Sequence, residues 1–282
     1  TLTLKSAEIT TIAETPDDYL PQSAAIYYDK ATDLKIVLEE DNTVTGPDVS
    51  SGGDSSSYGI HVDDEVTLTI SGSGSLTATG GDAPAVYGGV SYGIYTWGNV
   101  IITGGDVTAT GGAAEFQSHG IYARLNATIS GGAVKATGGA VTSSEEDGGD
   151  ASSGICADIV TISGGEVTTT GGDTEGRSCG IDADSITING GVFTATGGTG
   201  TEGSYGIYTG ALTITGGTIT ATGNTSGVYG SSKECKITIA PQTDQQIAVL
   251  LGESETAAAA IAGSPFASET EITSHVNNSG KY

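Results

Sequence analysis

Apolar and polar residues alternate with period two along most of the chain, in short runs such as Ile159-Val160-Thr161-Ile162 and Glu166-Val167-Thr168-Thr169-Thr170. Alternation of this kind marks a strand with one buried face, and the β-branched residues that fill the runs favour strands. The runs recur. A Gly-Ile or Gly-Val pair stands at Gly59-Ile60, Gly93-Ile94, Gly120-Ile121, Gly154-Ile155, Gly180-Ile181, Gly206-Ile207 and Gly227-Val228, at spacings of 34, 27, 34, 26, 26 and 21 residues. Each unit reads Gly-Ile-x, a Val-Thr-Ile segment, a Gly-Gly turn, a Val-Thr-Ala-Thr segment and a further glycine turn, which predicts three short strands per unit.

Strands this short cannot cover their apolar faces alone, whereas similar units stacked about 4.8 Å apart form parallel sheets around a continuous core. The pattern predicts an all-β chain: a single-stranded, three-sided, right-handed parallel β-helix with three parallel sheets, the hand following from the rule for parallel crossovers. The expected inward ladder holds Val100/Ile102, Ala127/Ile129, Val160/Ile162, Ile186/Ile188 and Leu212/Ile214, then Val107, Val134, Val167, Phe193 and Ile219, with Ala109, Ala136, Ala195 and Ala221 where the section narrows. Gly-Gly is expected to supply positive φ at the corners. The regular pattern runs over 34–240, with an N-terminal cap over 1–33 and a C-terminal cap or tail over 241–282.

The Gly-Ile-x, Thr-Ile-x-Gly-Gly and Thr-Ala-Thr-Gly-Gly units resemble the pectate-lyase-like right-handed parallel β-helix superfamily. More narrowly, they resemble the carbohydrate-binding β-helix proteins of Gram-positive bacterial surfaces. The resemblance implies a secreted, calcium-associated protein that binds plant or host polysaccharide, related in fold to pectinases but without their activity. No catalytic motif of the superfamily maps onto this chain residue by residue.

Charge narrows the partners. With 9 Lys+Arg against 34 Asp+Glu, the net charge of −25 argues against nucleic acid and anionic membranes, both of which need cationic side chains on phosphate. No run approaches the roughly 18 apolar residues of a membrane helix. Thr1 at the start and the lack of any Met fit a mature extracellular or cell-surface protein, expected to be a monomer. Cys156, Cys179 and Cys235 are odd in number and lack zinc spacing.

Function is then sought at outward positions where units differ. Around the Gly-Ile pairs lie Tyr92, Tyr95, Trp97, Tyr122, Arg124, Tyr205 and Tyr208, with Trp97 the single tryptophan. Stacked rungs place Trp97, Arg124, Asp158 and Asp184 in one column, where rings and charges suit a pectin-like, cellulose-like or host glycan. The same residues also suit a purely structural edge, with rings stacked on each other, Arg124 paired with Asp158 and Trp97 stacked on Arg124. Asp158, Asp182 and Asp184, with Asp173 in the preceding loop, offer hard oxygen ligands to calcium. They could instead be a solvated acidic face, or the acid and nucleophile of a glycoside hydrolase.

Extra length falls between the Thr-Ala-Thr-Gly-Gly segment and the next Gly-Ile, so these loops, including Glu145 to Asp150, share one edge. Thr77/Thr79, Thr108/Thr110, Lys135/Thr137, Thr168/Thr170, Thr194/Thr196 and Thr220/Thr222 form a ladder like that of ice-binding solenoids, broken by Lys135. The residues together point to a non-catalytic extracellular carbohydrate-binding or adhesin-like module. A polysaccharide lyase or glycoside hydrolase, and a ligand-free surface spacer, are the alternatives.

Overall fold

A computed structural model of the chain describes residues 1–10, 13–14, 22–49, 56–84, 88–143 and 151–231, together with the strands Lys236–Ile239, Ala248–Gly252 and Thr270–Glu271. It is a right-handed parallel β-helix. Among the described residues the strands join into two sheets, of fifteen and nine strands, rather than three. The reason is a fusion of two sides. In four successive coils the Gly-Ile strand and the Val-Thr-Ile strand run on as single bent strands: Gln117–Ile129, Ala151–Ile162, Arg177–Ile188 and Gly203–Ile214. The Val-Thr-Ala-Thr segments, among them Asp106–Thr110, Ala133–Thr137 and Glu166–Thr170, form the nine-stranded sheet.

Register is kept almost throughout. Val100 opposes Ala127, then Val160, Ile186 and Leu212, while Val107 opposes Val134, Val167, Phe193 and Ile219. These columns are buried as the alternation requires and belong to one continuous core. Stacking also runs past the 34–240 bounds. Leu2–Lys5 pairs in parallel with Leu34–Glu39, Gln22–Tyr28 with Ser56–Val62, and Ala248–Gly252 with Thr218–Thr222. Antiparallel pairs occur at the two ends, Ala13–Glu14 on Gln22–Tyr28 and Thr270–Glu271 on Lys236–Ile239.

The glycines divide by cause. In the Gly-Gly turns after the Val-Thr-Ile segments the second glycine has positive φ, as at Gly132 (84°) and Gly165 (83°). The glycine of the Gly-Ile pair is instead a matter of space: a Cβ on Gly120 would lie 2.5 Å from the Thr137 backbone nitrogen, where the sheets close on each other. One serine per coil seals this corner. Ser91 Oγ donates to the Gly81 carbonyl at 2.7 Å and accepts from the Gly112 N–H at 2.8 Å, and Ser118, Ser152 and Ser178 repeat the link. Each hydroxyl ties one coil to the next where no sheet ladder reaches, satisfying buried amide groups that would otherwise be costly.

Candidate functional site

Because the glycine of each Gly-Ile pair drops out of the ladder, the residues before and after it share one side of the coil and build two columns. The first carries Tyr58, Tyr92, His119, Ser153, Cys179 and Tyr205; the second carries Tyr27, His61, Tyr95, Tyr122, Cys156, Asp182 and Tyr208. Their rings pack on one another. Tyr92 and Tyr95 stack at 5.3 Å between centroids, Tyr95 and Tyr122 at 5.2 Å, and Tyr92 and His119 at 5.2 Å. Tyr58 and Tyr92 thus form a small apolar cluster of their own, with Tyr27, Tyr95 and Tyr122 against it.

This geometry sorts the glycan candidates. Tyr92 and Tyr205 are buried, and the Tyr92 hydroxyl donates to Gln117 Oε1 at 2.9 Å, so both are pillars of the edge rather than ligand contacts. Tyr95 is half-exposed, but its faces are taken by other rings. The guanidinium of Arg124 lies 4.1 Å over the ring of Trp97 and covers it. Arg124 does not pair with Asp158: the strand carries one extra residue between Ala123 and Asn126, which breaks the column at that rung. No ion pair joins the two among the described residues. Burial lowers the imidazole pKa to about 4 at His61 and about 3 at His119, so both are neutral packing groups near pH 7.

The aromatic stack stops after Tyr122. Its next two rungs are Cys156 and Asp182, and rings resume at Tyr208. On the far side of the break, Arg177 is placed by its own strand to donate from Nη2 to Asp182 Oδ2 at 3.0 Å and to lie 4.3 Å over Tyr208. Burial raises the Asp182 carboxyl pKa, and Arg177 works against that shift. Burial also raises both the Cys156 and Cys179 thiols, so neither is a ready thiolate nucleophile.

A depression of about 160 Å³ occupies the break. Tyr122, Arg124, Cys156, Asp158, Asp182 and Asp184 line it, with the alanines at 123, 157 and 183 between them. On the rung after Tyr122 the opposing residue is Cys156 rather than a ring, and both side chains line the depression. Ala157 opposes Ala183 and Ile159 opposes Ser185, which sets exposed Asp158 and Asp184 directly opposite each other, roughly 4.8 Å apart at the backbone.

The proposed calcium set does not come together. Asp173 sits on another corner, where its Oδ1 accepts from the Thr199 N–H at 3.1 Å, and Asp182 is held by Arg177. Among the described residues no group of three or more His, Cys, Asp or Glu side chains could hold a metal ion. Two carboxylates fall short of the six to eight oxygens, as a rough rule, that calcium takes. The Thr ladder is in register on the nine-stranded sheet, with Lys135 between Thr108 and Thr168. The acidic loop from Glu145 to Asp150, along with Cys235 and His275, lies outside the described residues.

Arg177 was not among the candidates reached from the sequence. Its signal was the five-residue spacing to Asp182 across a Gly-Ile pair, together with the loss of aromatic residues in those two coils.

The model of a β-helix repeat family matches residues 68–94, 100–121, 128–155, 160–184 and 212–231; of the residues that line the depression, Asp182, Ala183 and Asp184 fall within these ranges. No curated protein and no solved structure matches the chain.

Proposed function

We propose that the chain is a non-catalytic carbohydrate-binding module of an extracellular or cell-surface protein, and that it seats one sugar unit of a polysaccharide in the depression beside Tyr122. The observation that carries this reading is the interrupted stack. Tyr122 ends the N-terminal run of stacked rings, and it lines a space of about 160 Å³ together with Asp158, Asp182 and Asp184. An apolar cavity of roughly 150 Å³ accepts a molecule the size of benzene, so the space suits a single six-membered ring. A sugar ring presents C–H bonds to an aromatic face and hydroxyl donors to carboxylates at its edge.

Hydrolysis is the weaker reading, because a general acid must hold its proton near neutral pH. Asp182 is the carboxyl raised by burial, but its bond to Arg177 favours the charged form.

The test is affinity electrophoresis through chitosan, chitin, xylan, glucan, polygalacturonate or no polymer, with the same mixtures assayed for new reducing and unsaturated ends. Retardation by at least one polymer without product is expected. It should persist in chelator, since the described residues supply no calcium cage. Tyr122→Leu should weaken retention by roughly twofold to tenfold, the worth of one aromatic contact. Product formation, or retention unaffected by Tyr122→Leu, would overturn the proposal.

A further inference from the structure

Asp158 and Asp184 are directly opposed carboxylates on adjacent rungs, an arrangement that costs stability in a sheet. Asp182, beside them, is paired with Arg177, and Arg124, the other cation at the rim, lies over the face of Trp97 and keeps its charge there. Neither Asp158 nor Asp184 has an ion-pair partner among the described residues. The depression therefore presents two carboxylates that have no ion-pair partner among the described residues, beside Tyr122 and on a chain of net charge −25.

We infer that the sugar unit this depression accepts is a protonated amino sugar, its ring on Tyr122 and its ammonium between Asp158 and Asp184. The inference rests on the carbohydrate-binding reading and names its ligand class. An ammonium group carries three hydrogen-bond donors and one positive charge on a compact centre. Two carboxylates and water satisfy it, whereas they leave a calcium ion under-coordinated. A uronate would bring a third negative charge to the same place and be repelled, and a neutral sugar would leave the Asp158–Asp184 repulsion standing. A protonated ring amine relieves that repulsion and meets the ring at once.

Binding is measured by calorimetry with a glucosamine hexamer, its fully N-acetylated counterpart, a galacturonate hexamer with and without calcium, and a lysine hexamer. The glucosamine hexamer should bind about tenfold or more tightly than the acetylated one, the worth of a charge-assisted hydrogen bond, and the preference should shrink with added salt. Asp158→Asn and Asp184→Asn should each remove most of that preference. Each should also leave the free protein equally or more resistant to urea, because one member of a repelling pair is gone.

That pairing of lost selectivity with undiminished stability separates a ligand site from a structural one. Equal binding of the two glucosamine-type hexamers, sensitive to Tyr122→Leu, would overturn the amino-sugar inference and leave the carbohydrate reading intact. Tighter binding of galacturonate in calcium would do the same. Binding of the lysine hexamer alone would overturn both, and binding of none of the probes would overturn the amino-sugar inference, the carbohydrate reading then standing or falling on the polymer gels.

Discussion

Thr169 is the one position where an otherwise alanine column inside the helix carries a hydroxyl. Ala78, Ala109 and Ala136 precede it in register and Ala195 and Ala221 follow it, all fully buried. Its Oγ1 is buried without a hydrogen-bond partner among the described residues. Leaving such a group unsatisfied costs about 1–3 kcal/mol. Thr169→Val keeps the shape and removes the penalty, so it should stabilise the protein by about that amount. At about 2–4 °C per kcal/mol for a domain of this size class, the thermal midpoint should rise by roughly 2–12 °C.

Urea unfolding followed by far-ultraviolet dichroism reads the free energy, with an unchanged m-value showing that the same surface is exposed. Thr169→Ser, which keeps the hydroxyl and removes the methyl, should be less stable than wild type. If Thr169→Val is destabilising while Thr169→Ser is neutral, the hydroxyl has a partner, and the reasoning from an orphaned group fails.

Ser118→Ala should cost roughly 1–3 kcal/mol in the same assay, because it strands the half-buried Gly112 carbonyl and Gly139 N–H that Ser118 Oγ bridges at 2.8 Å each. His61 makes the protein acid-labile. Its folded pKa of about 4 lies below the ordinary 6.5, so between those values the unfolded chain binds the proton and the folded one does not. Stability from this group is complete above pH 6.5 and falls as pH drops toward 4, by roughly 3 kcal/mol. His119, with a folded pKa of about 3, adds a similar loss over the same window, so His61→Phe should reduce that slope of the urea-midpoint profile without abolishing it, and an unchanged slope would remove His61 as a source.

The helix was legible in the chain because its two periods, alternation within a strand and recurrence of Gly-Ile, are both written in residues that pack inward. Val107, Val134, Val167, Phe193 and Ile219 fall in one column for that reason. The fusion of two sides into one bent sheet was not legible, since Arg124-Leu125 and Asp184 give no composition signal for a strand that continues round a corner. The serine links were hidden for a related reason. Ser91 and Ser118 look like ordinary polar residues until the corner brings Gly81, Gly112 and Gly139 against them.

At the site, the sequence placed Tyr95 over Tyr122 and Asp158 opposite Asp184, both of which follow from register alone. It could not show which faces remain free. That depends on Arg124 turning to Trp97 and Arg177 turning to Asp182 and Tyr208, choices made by side chains within reach of several partners. Asp173 was grouped with the other carboxylates by nearness in sequence, whereas the coil carries it to a different corner.

The most direct measurement is a crystal structure of the protein grown with the glucosamine hexamer. The expected result is one sugar ring against the Cys156 side of Tyr122, with its amine between the carboxylates of Asp158 and Asp184. A hexamer lying instead on the Thr108–Thr137 face, with the depression filled only by water, would contradict the central claim that the break in the aromatic stack is the binding site.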